Sequence, residues 1–466
     1  MIKEFISLLL CMTLFLSSFV GPAVSDERGA SSIELPPEGL LYQEAGKKLT
    51  DFPADLRNTV NEIIRTGWRQ DEKLVNFLLE NKEAVALFKK ATLQPNEGFI
   101  FGKRPEKLNA DTEHPNYVGE INLFKLTLLE GKMHEAKGEY DQAGANYLTA
   151  IRFIHHLSQQ RFSILLSMLI EGICLEMAAP SITESLQKGN FSRGYYNDLD
   201  QILADIVKNQ DFLKGAFEEE SEIMKNSVRM VESIVEEESQ KTKKDEEFRK
   251  AIGSIPFLQS QLKRWNQNRK SEFFSEFYKI TDSNLIELRE AQIRAARENK
   301  IEVYKRKLRE LEKRPPDLTS NWRFFNSSVF ALKQKIFGGK SFQQTLGHVV
   351  AKIFLSLGAP SYSKIIERYH IFHNQLHILV VGVGLKRYQM DHGALPDTVE
   401  QLVPNYLDQV PQDTFNQFRP LSYKRKAQGY IIYSFGPDRE DDGGEITFDR
   451  KNKTNNQGDI VLFLTL

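Results

Sequence analysis

Along most of the chain, apolar residues recur at threes, fours and sevens, the spacing that puts them on one face of an α-helix. Gln70 to Lys90 shows it well, with Leu74, Phe77, Leu78, Val85, Leu87 and Phe88 in one stripe. The pattern runs from about Pro53 to Leu186, interrupted by a Pro-, Gly- and Asn-containing loop from Gln94 to Pro115. Phe162 to Met177 is strongly apolar, which predicts the most buried helix of the body and makes Cys174 a small core residue. A further long helix is predicted from Ser361 to Met390, with Ile365, Tyr369, Phe372, Leu376, Leu379, Val380, Val383, Leu385 and Tyr388 on its apolar side. After it, Tyr430 to Tyr433 is a β-type run, and a second follows at Ile460 to Phe463. The pattern predicts a mostly α protein with a small C-terminal α+β domain.

Between these parts the composition shifts to charge. Glu218 to Glu220, Glu236 to Glu238 and Lys241 to Lys250 come first, and Gly253-Ser254-Ile255-Pro256 interrupts them. Ser283 to Glu312 is a mixed-charge helix with a thin apolar stripe at Ile286, Leu288, Ile293, Ile301, Val303 and Leu308. Solvated helix faces explain this region; a coiled-coil arm would need clean heptads, which the stripe lacks. Pro315-Pro316 ends the helix, and an aromatic connector with Trp322, Phe324, Phe325 and Phe330 follows. The divisions expected are a leader at 1–25, a loose lead-in at 26–52, a helical domain at 53–195, a charged long-helix region at 196–314, a connector at 315–361 and the α+β domain at 362–466.

At 466 residues, about two or three domains are expected. A composition of 41% hydrophobic and 27% charged residues is that of a globular chain. A net charge of −1 gives no bulk attraction to nucleic acid or to an anionic membrane. The N-terminus reads as an export signal. Lys3 precedes an apolar run from Phe5 to Val20, Gly21-Pro22 breaks it, and Ala23 and Ser25 are the small residues before an expected cleavage ahead of Asp26. An uncleaved anchor is the alternative. Leu10 before Cys11 does not fit a lipoprotein signal. Removal of the leader leaves Cys174 without a disulfide partner, so core burial must hold the exported chain. No later segment has the unbroken apolar length of a membrane span, and no membrane span is expected in the mature chain.

Within Ile121 to His156, Gly138, Tyr140, Ala143, Tyr147 and Ala150 form a Gly-x-Tyr-x-x-Ala-x-x-x-Tyr-x-x-Ala pattern. It resembles the second half of a tetratricopeptide repeat, with Gly131 as the small residue of the first helix. Gly138 permits the tight turn, and Ala143 and Ala150 let two helices approach closely. No second copy follows at the period of such repeats, so an ordinary helix hairpin with small residues at its crossing is the alternative.

The densest chemistry lies near the C-terminus. In Tyr433-Ser434-Phe435-Gly436-Pro437-Asp438-Arg439-Glu440-Asp441-Asp442-Gly443-Gly444, four acidic residues fall within five positions, and Arg439 offsets only one of them. Their repulsion is relieved by water and salt, or by a hard cation. Calcium is the natural candidate, because it accepts six to eight oxygen ligands in flexible loops. A solvated turn is the other reading.

Further residues extend this pattern. Arg387-Tyr388-x-x-Asp391-His392-Gly393-x-Leu395-Pro396 follows the long helix, then Leu402-Val403-Pro404-x-Tyr406-Leu407 and Val410-Pro411-x-Asp413, then the strand and the acidic loop. This order resembles the periplasmic domain of the major pseudopilin of type II secretion systems. The resemblance implies a long helix packed on a short antiparallel sheet and a calcium-binding loop. It places side-chain ligands at Asp438 and Asp459, a backbone ligand at Phe435, and further candidates at Asp441 and Asp442. The chain departs from that family in several ways. It has no prepilin cleavage sequence, it carries His370, His373, His377 and Lys386 on the long helix, and Asp413-Thr414-Phe415-Asn416-Gln417 replaces the family's Asp-Pro-Trp-Gly-Asn. The likeness implies a fold and a metal, not a filament subunit.

Other constellations are thinner. His370, His373 and His377 share one helical face and would hold zinc only with further ligands; structural histidines are the simpler reading. His155 and His156 are expected to be exposed. No His-Glu-x-x-His, Gly-x-Ser-x-Gly or phosphate-binding glycine loop is present. The expected function is therefore non-enzymatic. The chain reads as an exported protein of the bacterial periplasm or cell envelope, with a helical scaffold that binds a protein partner beside a secretion or envelope assembly. An exported hydrolase with its site scattered over the helical body is the alternative.

Overall fold

A computed structural model describes residues 37–96, 98, 100–102, 104–106, 108, 115–162, 164–208, 212–236, 267–298, 362–426, 429–448 and 457–465, with isolated positions between 306 and 351. The stretch expected to be an export signal, the Lys241 to Lys250 run, the Ile301 to Leu308 part of the thin stripe, Pro315-Pro316 and the aromatics of the connector lie outside them. The described residues are mostly helical, with a small antiparallel sheet near the C-terminus. The predicted fold class therefore holds. The chain divides into two compact units that cut across the sequence-based boundaries.

The larger unit holds Ser32–Arg104, Glu113–Ala216 and Glu367–Leu466. It begins with a helix inside the supposed loose lead-in: α1 (Pro37–Lys48) buries Tyr42 and Ala45. The reason is close packing. A Cβ on Gly119 would sit 3.5 Å from the Cα of Gly46, so two helices touch where neither has a side chain. Next come α2 (Ala54–Thr66), α3 (Glu72–Glu80) and α4 (Lys82–Ala91). The single stripe from Gln70 to Lys90 is thus two helices. Asn81 breaks it, because its buried side chain accepts the Thr50 N–H (2.9 Å) and donates to the Phe77 carbonyl (2.9 Å). Such local competition for backbone groups ends helices. Asp71 caps α3 by accepting the Leu74 N–H.

The hairpin of α5 (Val118–Ala136) and α6 (Tyr140–Ser158) carries the Gly-Tyr-Ala pattern. Gly138 makes the turn at φ 77°, and Ala143 and Ala150 are buried. At Gly131 a Cβ would lie 2.4 Å from the ring of Tyr147, so only glycine fits beneath that tyrosine. The Tyr147 hydroxyl donates to Glu135 (2.6 Å), which lies beside buried Lys132; Lys132 also pairs with Glu184. A second hairpin follows, α7 (Ile164–Lys188) and α8 (Arg193–Lys208), turned by Gly189 at φ 67°. Both of its helices pack on α6.

Helix α7 encloses Cys174 fully, as expected, but it is not the most buried helix of the body: α6 buries a larger share of its residues, and Ile173 of α7 is exposed. By length and composition α7 is also the one described helix that could cross a membrane; half of its apolar window is buried inside the protein, and it carries Glu171, Pro180 and Glu184. Most of helix α8 falls within the charged region that composition marks out. It belongs instead to the body, because Tyr195, Tyr196, Leu199, Leu203 and Ile206 form a buried stripe.

The C-terminal portion joins the same unit. Helix α11 (Tyr362–His392) is buried on more than one side, since Ile366, Ile378 and Val381 are enclosed as well as the predicted stripe. Gly382 shows why. A Cβ there would meet Leu462 of the sheet at 2.5 Å and Leu186 of α7 at 3.1 Å. The helix is clamped between the sheet and the helical body. A short 3-10 turn (Val399–Leu402) leads to β1 (Gln412–Asp413), paired with β2 (Arg419–Pro420). The main sheet is antiparallel in the order β3 (Ser422–Lys426), β4 (Gly429–Ser434), β5 (Ile460–Thr465). Every residue of the central strand β4 is buried.

In the other unit, α9 (Phe212–Glu236) contributes from Phe217 onward, and α10 (Gln267–Arg297) follows. Arg229 pairs with Asp282, and Asn226 donates to the Leu108 carbonyl at 2.7 Å. Phe273, Phe274 and Phe277 are buried on α10, and a Cβ on Gly347 would lie 2.5 Å from the Phe273 carbonyl oxygen. Of the thin stripe expected here, Leu288 is buried, Ile293 half-buried and Ile286 exposed, and Ile301, Val303 and Leu308 lie outside the described residues. Leu285 and Ala295 also face inward.

Candidate functional site

The acidic loop grows from β4 because Gly436 and Gly458 let two chain segments touch. At Gly436, φ is 70° and a Cβ would stand 2.1 Å from the Gly458 carbonyl oxygen. Only glycine combines that conformation with that approach. The start of the loop is pinned by Asp413, whose carboxylate is wholly buried. One oxygen accepts from the Ser434 hydroxyl (2.7 Å) and the Phe415 N–H (2.8 Å), the other from the Phe435 N–H (2.9 Å). Burial pushes this carboxyl above its ordinary range, while those donors oppose the shift. Asp413 was legible only as part of a motif. Its role as the anchor of the loop needed the distances.

The residues picked out for a metal converge in one region. Asp438 is half-buried; one of its oxygens accepts the N–H of Gly458 at 2.6 Å and the other that of Glu440 at 3.3 Å. It therefore touches the residue preceding Asp459. Asp459 is completely enclosed at the mouth of β5, where its backbone exchanges hydrogen bonds with Ile446 and Phe448. One of its carboxylate oxygens accepts the Gly444 N–H at 2.7 Å; the other, Oδ1, has no hydrogen-bond partner. Burial drives this carboxyl up to about 6, with Asp442 and Asp441 adding to the effect by repulsion. Asp441 is exposed and accepts from the Tyr433 hydroxyl (3.0 Å) and the Gly443 N–H (3.0 Å), with Lys424 at 3.6 Å. Asp442, half-buried, accepts the Glu445 N–H at its carbonyl. Phe435 joins the group through its N–H to Asp413. Tyr433, which opens the stretch, and Lys424, which the sequence gave no sign of, also touch the loop.

The arrangement can gather oxygen ligands around a cation, but it is not a shell of side chains alone. Among the described residues, no set of three or more His, Cys, Asp or Glu side chains is placed to share one ion. Backbone carbonyls and water would have to supply the rest, as calcium allows.

Elsewhere, His156 is not exposed, as the sequence had suggested. It is buried on α6 with the Tyr42 hydroxyl 2.8 Å from its Nδ1, and burial lowers its pKa to about 4. Two adjacent helical positions point in different directions, and α1, unseen in the sequence, covers this one.

Fold and loop together define a helical protein with a three-stranded C-terminal sheet and a crowded acidic turn. No known protein family, curated protein or solved structure matches the chain.

Proposed function

We propose that the chain is an exported, non-enzymatic protein of the bacterial cell envelope, in which stacked helical hairpins offer a surface to a protein partner and a pseudopilin-like C-terminal module binds calcium. The carrying observation is the unpartnered Oδ1 of Asp459, a buried carboxylate oxygen that Asp441 and Asp442 lie near enough to repel. A buried charged group without a partner is costly, and an ion is one of the few things that relieve it. Asp459 and Asp438 would be the side-chain ligands, with Asp441, Asp442 and the Phe435 carbonyl as further donors. The ion would supply the positive charge that Arg439 alone lacks. Two segments distant in sequence, the turn after β4 and the entry to β5, would then be tied through one centre.

The leader at residues 1–25 supports export. The helical body, with one hairpin packed on a helix of the other, supports an interaction role.

Calcium titration with thermal melting tests the reading. Wild-type protein should melt higher in calcium than in EDTA, following RT ln(1 + [L]/Kd). Asp438→Ala should lose most of that difference. Identical melting of the wild type in calcium and EDTA sinks the metal assignment.

A further inference from the structure

The histidines of α11, His377 buried and His373 half-buried, have no part in that reading. His373 and His377 are one helical turn apart, so their side chains lie on the same face. Their rings are in contact, with centroids 4.0 Å apart and planes inclined at 67°. A carbonyl oxygen only accepts hydrogen bonds, so the 2.9 Å contact between His377 Nδ1 and the Gln412 carbonyl fixes the proton on Nδ1. Its Nε2 is left as a lone pair. This is the arrangement in which metal-bound imidazoles are usually oriented by an outer carbonyl. His373 differs. Its Nδ1 is buried with no hydrogen-bond partner.

The backbone that carries the pair is tied down. Asn374, between them on the helix, donates to the Thr414 hydroxyl (2.7 Å) and accepts the Thr414 N–H (3.1 Å). Asn374 and His377 together fasten α11 to the Gln412–Thr414 segment. The Tyr369 ring closes the other side of His373, at 5.6 Å between centroids. Burial also lowers the pKa of both imidazoles, which favours the neutral form a metal requires.

We propose that His373 and His377 form a two-histidine site for a borderline divalent transition-metal ion of the zinc type, separate from the acidic loop. The nitrogen donors select this class over calcium, which takes oxygen. With Zn–N bonds of about 2.0–2.1 Å, the rings would have to part by roughly 1 Å to admit the ion. Since no set of three or more His, Cys, Asp or Glu among the described residues is placed to share one ion, water would complete the shell. The site should therefore exchange its metal, unlike a closed structural zinc site.

The experiment is calorimetric titration of the purified protein with zinc chloride, in buffer saturated with calcium so that the acidic loop does not compete. Wild type is expected to bind one zinc per chain, and His373→Ala and His377→Ala each to weaken binding by at least about tenfold. His155→Ala, on another helix, should bind as wild type does. If His377→Ala fails to fold by circular dichroism, His373→Ala decides alone, because that side chain makes no hydrogen bond to lose. Absence of zinc binding by the wild type overturns the proposal, as does wild-type affinity in His373→Ala.

Discussion

Gln187, near the end of α7, donates its side-chain amide to the backbone carbonyl of Phe463 in β5, at 2.9 Å. The bond joins the helical body to an outer strand of the sheet. Edge strands present unpaired backbone groups that invite foreign strands. Here a helix from the chain's own body meets that edge. Arg193 also pairs with Asp391 and Arg387 with Asp200, so the end of α11 faces α8. The motif positions that suggested a free-standing module serve to hold it against the body.

Replacement of Gln187 by Leu should cost about 0.5–1.5 kcal/mol, the usual net value of one hydrogen bond. Thermal melting measures the loss. Hydrogen exchange should also show faster opening of β5 than of α5. Uniform loosening of both would contradict a local role.

Gly436→Ala should be among the most damaging changes in the loop. At a positive φ, its new Cβ would run into the Gly458 carbonyl oxygen, and the change should destabilise the protein by more than about 2 kcal/mol. Gly443→Ala is the control. Its φ is 66°, but a Cβ there would meet only the flexible end of Lys424 at 3.7 Å. That variant should lose about 1 kcal/mol. Equal melting temperatures for the two would show that the Gly436–Gly458 approach carries no weight.

Glu171 gives a pH-dependent prediction. It is fully buried on α7, both carboxylate oxygens lack partners, and burial raises its pKa well above 4.5. A carboxyl raised on folding stabilises fully below its unfolded value, and that contribution is lost as pH rises toward the folded value. Wild type should therefore lose stability from pH 4.5 upward through this group. His156 acts in the opposite sense, because its depressed pKa, about 4, costs stability as pH falls below its ordinary 6.5. Comparison with Glu171→Met isolates the glutamate. At pH 8 the variant should melt at least about 2–4 °C above wild type, and the gap should narrow toward pH 5. A variant that melts lower at pH 8 would mean that the ionised carboxylate is satisfied in the fold.

Helix existence was legible wherever the stripe was long. Phe162 to Met177 and Ser361 to Met390 both read correctly, because an apolar face repeats locally at helical spacing. The Gly138 turn was legible for the same reason, as a left-handed residue between two such runs. Helix α1 was missed because its inward set, Leu41, Tyr42 and Ala45 with two glycines, is too sparse to form a stripe. Asn81 was missed as a breaker because its effect depends on Thr50, which is remote in sequence. The acidic loop was visible as a run of charges, and Asp459 entered it only through resemblance. That Asp459 is enclosed with one oxygen unpartnered is a property of three segments meeting.

The order of elements, the mostly helical class and the crowding of acids after β4 follow from the chain alone, because each depends on neighbours within a few positions. Tertiary structure decided which of those elements share a core. It turned the C-terminal module from a separate domain into a layer against α7 and α8, and it placed Asp438 against the residue before Asp459. Such outcomes depend on close approach between distant segments, at Gly382, Gly436 and Gly458, and contact distance is not written into any local pattern of residues.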